Sequence, residues 1–149
     1  VVFIEPRESA EATEALKEFV SLPSKKKSGI MFAVCGGKWS EGLDYRGDQM
    51  TAAMVIGLPL APFTPVRRMV NSYFKRKFGE QAYSLPAINK SMQALGRVLR
   101  TETDRGVLIL GDQRFLSPEI FAGVSPWMQK EMKRCTVSEV KALLAAWDS

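Results

Sequence analysis

The chain has 149 residues, 46% hydrophobic and 25% charged, the proportions of an ordinary soluble globular domain long enough for one proper core. Its formal charge of +5 permits a nucleic-acid partner without requiring one. Histidine is absent, which removes His-based triads, His general bases and His metal sites, and no run approaches the ~18 apolar residues of a membrane span.

No signal-peptide pattern opens the chain, and the abrupt Val1-Val2-Phe3-Ile4 start reads as that of an excised piece. Val1 to Glu5 is a predicted strand, and Ser9 a predicted cap for a helix with Ala12, Leu16, Phe19 and Val20 on its apolar face. Lys25-Lys26-Lys27 falls in a polar connection and reads as solvated loop. Gly29 to Cys35 is a short apolar strand, expected to be buried on both faces as parallel strands are. A glycine-rich polar loop runs from Gly36 to Asp48, and Ala52 to Leu60 gives another strand. Val66 to Phe78 is a basic amphipathic helix, and the next helix starts near Pro86, a good first-turn residue. Gly106 to Asp112 is a further buried strand. Thr136-Val137-Ser138-Glu139 is a capping-box pattern, opening a helix with Val137, Val140, Leu144 and Trp147 on one face. Short apolar strands separated by helices imply βαβ units and a mostly parallel sheet. In such sheets function gathers in loops at the carboxyl ends of strands. Cys35 and Cys135 have no partner at metal-ligand spacing and are expected to be free thiols in a reducing, intracellular setting.

Three segments carry chemistry. In Gln93-Ala94-Leu95-Gly96-Arg97-Val98-Leu99-Arg100, helical spacing puts Gln93, Gly96, Arg97 and Arg100 on one face. Ile88, Met92, Leu95 and Leu99 then form the opposing apolar stripe. Two guanidiniums and an amide around a bulk-free glycine suit a polyphosphate; the alternative is a solvated face with its arginines paired near Glu102 and Asp104. Gly36 to Tyr45 offers backbone N–H groups freed by glycines, a hydroxyl and the carboxylates of Glu41 and Asp44, but no G-x-x-x-x-G-K-[ST] pattern occurs anywhere. The chain therefore lacks the usual cradle for a nucleoside triphosphate. Finally, Arg67, Arg68, Lys75, Arg76 and Lys77 interleave with Asn71, Tyr73 and Phe74 and no acid, as in grooves that track phosphates and stack bases. The plainer reading is an amphipathic helix with Met69, Val70, Tyr73 and Phe74 buried. Trp39 either stacks on a base or anchors its loop, while Trp127 and Trp147 read as core.

Taken together, GKWSEGLDY and QALGRVLRTETDRG resemble motifs V and VI of superfamily 2 helicases, in the XPD-like branch that includes DinG. Tyr83-Ser84-Leu85-Pro86-Ala87-Ile88, Asp112-Gln113-Arg114-Phe115 and Ser125-Pro126-Trp127 follow in the family's order, so the resemblance spans nearly the whole chain. It implies a three-layer RecA-like α/β domain with helices on both faces, occupying residues 1–149 as the second motor domain of a longer chain. The first motor domain, with the P-loop, the Mg²⁺-binding motif and a [4Fe–4S] cluster, is absent from these residues, as is the motif IV strand. By the same resemblance Arg97 and Arg100 reach the γ-phosphate of ATP held with Mg²⁺ on the first domain, Arg100 as arginine finger. Gln93 senses that phosphate or positions water. Asp44 and Glu41 hold the arginines or the ribose; Gly42 and Gly96 allow close approach to the nucleotide. Lys38 and Ser40 face single-stranded DNA, with Arg67, Arg68 and Lys75 as weaker contacts. The resemblance further implies 5′-to-3′ movement, a role in DNA repair, a monomer with no membrane partner, and residence in the cytoplasm of a prokaryote or the nucleus of a eukaryote. The isolated chain is expected to be inactive. The alternative is a non-catalytic module that kept the fold and binds single-stranded nucleic acid; a third reading, a small-ligand enzyme with Asp112 and Arg114 beside its pocket, lacks a nucleophile–base pair.

Overall fold

Val2–Ile4 alternates β-branched and aromatic residues, forms strand β1, and turns Phe3 into the interior. The computed structural model describes residues 1–40, 45, 47–79, 82–99, 101 and 103–147, less the side chains of Asp48 and Trp147. Helix α1 (Ser9–Ser21) leads back through a 3₁₀ turn (Pro23–Lys25) to strand β2 (Ile30–Phe32), which pairs parallel with β1 in the register Val2↔Ile30 and Ile4↔Phe32. This is one βαβ unit. The N-cap of α1 is Glu8, without a side-chain cap bond, so Ser9 is the first helical residue rather than the cap. Ala12 and Phe19 of α1 join Phe3, Leu22, Trp39 and Tyr45 in a buried cluster. Its rings meet edge-to-face, Phe3–Phe19 at 5.6 Å and Phe19–Tyr45 at 6.3 Å, geometry that adds about 0.5–1.5 kcal/mol per pair beyond burial.

A second βαβ unit follows. Strand β3 (Ala52–Ile56) pairs parallel with β4 (Val107–Gly111) in the register Ala52↔Val107 to Ile56↔Gly111. Between them lie α2 (Pro65–Phe78) and α3 (Leu85–Leu95). Val55, Leu58, Ala87, Ile88 and Leu95 form the larger core with Phe115, Ile120, Val124 and Met128, which come from a 3₁₀ turn (Gln113–Leu116), the short helix α4 (Pro118–Phe121), the turn after it, and α5 (Pro126–Glu131). Helix α6 (Val137–Trp147) closes the chain. The capping box forms: the Thr136 N–H donates to the Glu139 carboxylate at 2.6 Å.

Five expectations are corrected. β2 is not buried on both faces; Met31 turns inward, while Ile30 and Phe32 are 60% and 52% exposed, because a three-residue strand paired with β1 covers one side. β4 is half-buried along its length. The apolar side chains of α2, Met69, Val70, Tyr73 and Phe74 included, are all exposed, and only Asn71 is half-buried, accepting the Tyr83 N–H at 3.0 Å. On α6, Val137 is 93% exposed and Leu144 is exposed too, so the expected docked face does not form among the described residues. Trp127 is exposed rather than core; its neighbour Met128 takes the inward position on the single turn-and-a-half of α5.

Candidate functional site

Parallel pairing brings the carboxyl ends of neighbouring strands to one edge. At the end of β1 the backbone N–H of Glu5 donates to Phe32 O at 2.9 Å, continuing the ladder and delivering the Glu5 side chain to the loop that leaves β2. Its carboxylate accepts from Val34 N at 2.8 Å and from Trp39 N at 3.2 Å. Within this loop the Ser40 hydroxyl accepts from Gly36 N at 2.8 Å and lies 2.9 Å from Val34 O and 3.1 Å from Gly37 O. The expected DNA-facing hydroxyl is thus engaged inside the loop. Lys38 is exposed at the apex.

Trp39 anchors. It is 2% exposed, and its indole N–H donates to Ala12 O of α1 at 2.9 Å. The buried Tyr45 hydroxyl donates to Trp39 O at 3.0 Å. Burial pushes the Tyr45 phenol up to about 12; the nearby Arg97 guanidinium acts the other way, and Glu5 reinforces the rise. Arg97 and Glu5 therefore both lie within electrostatic reach of Tyr45. Tyr45 and Arg97 stand far apart in the sequence, and the fold alone brings them within that reach. A groove passes the same place, touching Cys35, Trp39, Ser40, Ala94 and Arg97. Burial raises the Cys35 thiol above its ordinary value, with Lys90 offsetting part of the rise, so it is a poor nucleophile.

The helix carrying Gln93 ends earlier than its apolar periodicity predicts. α3 stops at Leu95; Gly96 N bonds to Met92 O at 2.8 Å, then Val98 N bonds to Leu95 O at 3.1 Å, tightening the chain into a turn. Gly96 is a poor helix former, and the tighter turn drives Val98 into the interior at 5% exposure. Gln93 is exposed on the helix and Arg97 is half-buried in the turn beyond it, so one continuous helical face from Gln93 onward is not formed. Arg100, Glu41, Gly42 and Asp44 lie outside the described residues.

At the ends of β3 and β4, Asp112 accepts from Leu58 N at 2.9 Å, from Arg114 N at 2.8 Å and from the Arg114 guanidinium at 2.6 Å. The hydrogen bonds from the Arg114 side chain, then from the Arg114 and Leu58 N–H groups, hold the Asp112 carboxyl well below the usual carboxylate range. Arg114 is thereby spent on the loop, which weakens the small-ligand reading. Arg67, Arg68 and Lys75 project from exposed α2, Arg68 lying 5.6 Å from the Phe63 ring centre. Glu5 was missed by sequence reasoning, because a single acid after a strand has no diagnostic spacing.

The fold and its loop set define a RecA-like α/β domain. Residues 1–131 match the family model described as the helicase C-terminal domain, and the chain belongs to that family. It is 32% identical over 142 residues to a regulator of telomere elongation helicase 1 homolog of Culex quinquefasciatus, covering 88% of this chain and 14% of that protein. The homolog of Drosophila melanogaster is likewise 32% identical, over 137 residues, with 86% of this chain and 14% of the relative covered. The chain thus spans about 14% of the length of these curated relatives. Among solved structures an XPD helicase superposes with a TM-score of 0.57 at 19% identity, covering 91% of this chain and 28% of that one, a likeness of fold. The chain is thus a helicase C-terminal domain whose fold is like that of an XPD helicase.

Proposed function

We propose that this chain, as residues 1–149 of a longer protein, is the second motor domain of a monomeric, ATP-dependent helicase that moves 5′ to 3′ on single-stranded DNA and acts in DNA repair. The observation that carries the reading is the family match over residues 1–131, taken with the groove that touches Arg97 together with Trp39 and Ser40. ATP with Mg²⁺ binds mainly on the first motor domain of the same chain. Arg100 is the arginine finger and Arg97 its companion at the γ-phosphate, where a guanidinium supplied across a cleft stabilises charge on the transferring phosphoryl group. Gln93 senses that phosphate or orients the attacking water. Glu41 and Asp44 tie nucleotide state to the DNA through the arginines or the ribose, with Gly42 and Gly96 giving the nucleotide room.

Lys38 contacts the DNA backbone, and Arg67, Arg68 and Lys75 extend that contact along α2, whose cations and exposed rings fit a phosphate track. A [4Fe–4S] cluster needs four thiolates, more than this chain's two cysteines supply, so the cluster belongs to the first motor domain of the parent protein. The protein resides in the cytoplasm of a prokaryote or the nucleus of a eukaryote. No helix among the described residues is long and apolar enough to cross a membrane.

The test is DNA-stimulated ATP hydrolysis by the full-length protein, wild type beside Arg100→Ala. The finger predicts a loss of about 10³-fold or more with DNA binding retained. Unchanged turnover would leave the arginines a solvated surface and bring forward the non-catalytic binding module.

A further inference from the structure

Residues 33–40, which leave β2, are held in part by a residue outside them. Glu5 reaches across from the end of β1 and accepts Val34 N at 2.8 Å and Trp39 N at 3.2 Å, one carboxylate oxygen for each. These are charge-assisted bonds to two backbone donors five residues apart, stronger than neutral ones. The space they enclose has no room for a side chain. A Cβ at Gly37 would stand 2.7 and 2.8 Å from the two Glu5 oxygens and 2.9 Å from Val34 O. The residue between Gly37 and Trp39 is Lys38. With Trp39 pinned to Ala12 O on one side and Gly37 packed on the carboxylate on the other, Lys38 is held outward at the apex.

We propose that Glu5 is a positioning residue for DNA binding: its carboxylate clamps the loop so that the Lys38 ammonium is preorganised toward a backbone phosphate. This rests on the reading of Lys38 as a DNA contact. The saving is entropic. A lysine on a mobile loop must order several backbone torsions on binding, whereas a clamped one orders only its own side chain.

The experiment is a double-mutant cycle on the full-length protein, measuring affinity for an oligo-dT strand by fluorescence anisotropy across a salt series. Lys38→Ala should weaken binding several-fold and lower the slope of log K against log salt by about 0.7, the share of one single-strand phosphate. Glu5→Gln keeps the size but turns an amide donor toward one of the two N–H groups. It should weaken binding about threefold when Lys38 is present and not at all beside Lys38→Ala, since the two act as one unit. Equal losses in both backgrounds, or no loss in either, overturn the positioning role while leaving the Lys38 contact standing. No effect of Lys38→Ala overturns the contact and the positioning role together. Should Glu5→Gln fail to fold, Gly37→Ala attacks the same clamp from the loop side and is read by the same criteria.

Discussion

Asp112 gathers bonds from two backbone N–H groups and a guanidinium on one side chain, and its consequences are testable without nucleotide or DNA. Its carboxylate joins the turn after β3 to the turn after β4 through Leu58 N and Arg114. Asp112→Asn keeps the shape but removes the charge and faces an amide against a donor. We expect a loss of about 1–3 kcal/mol, read as a lower denaturant midpoint at neutral pH. The pH dependence has a definite sign. A carboxyl whose pKa is lowered by folding stabilises the native state above its unfolded value of about 4, and that contribution is lost as pH falls toward the folded value. The acid limb of the stability profile should therefore be shallower in Asp112→Asn than in the wild type. The Asp112 and Arg114 positions were visible in the sequence only as a landmark; their pairing depends on the 3₁₀ turn Gln113–Leu116, which no periodicity announces.

Helix α2 shows how an element can stand with little tertiary support. Its fourteen residues are closed by local devices: the Thr64 hydroxyl accepts Arg67 N at 3.3 Å, and Gly79 takes φ 69° to send its N–H to Lys75 O at 3.1 Å. Lys75, Arg76 and Lys77 lie at the negative end of the helix dipole. Gly79→Ala puts a Cβ in the left-handed region and should cost about 1 kcal/mol, seen as faster amide exchange in the last turn of α2 with the rest of the domain unchanged. The sequence predicted this helix to within one residue, because caps and charges are local signals. It mispredicted which side chains are covered, because coverage depends on neighbours distant in the chain. The same division applies to α3, where apolar spacing located the helix, while the turn at Gly96 that ends it and buries Val98 went unannounced.

At the scale of the molecule, two parallel βαβ units each have their own core, and the sequence announced both through alternating strands and helices. The motif spacing also announced the family. It did not reveal that Arg97 would share a groove with Trp39 and Ser40, since the fold alone brings them there. One unit holds the loop with Lys38 and the other holds Gln93 and Arg97, so the two proposed duties, gripping DNA and touching the nucleotide, sit on different cores. Neither contains a P-loop. The isolated chain is accordingly expected to show no ATP hydrolysis above buffer, with or without single-stranded DNA, in a phosphate-release assay. Turnover that co-purifies with the chain and disappears with Arg97→Ala would overturn that expectation.

Trp39 gives the molecule an optical handle. Its indole lies in the interior, tied to α1 on the very loop proposed to answer to DNA, whereas Trp127 stands in solvent. Replacing Trp127 and Trp147 with phenylalanine would leave a single emitter whose colour and access to quencher report that loop alone. Movement of the motif could then be followed in real time, with no dye attached.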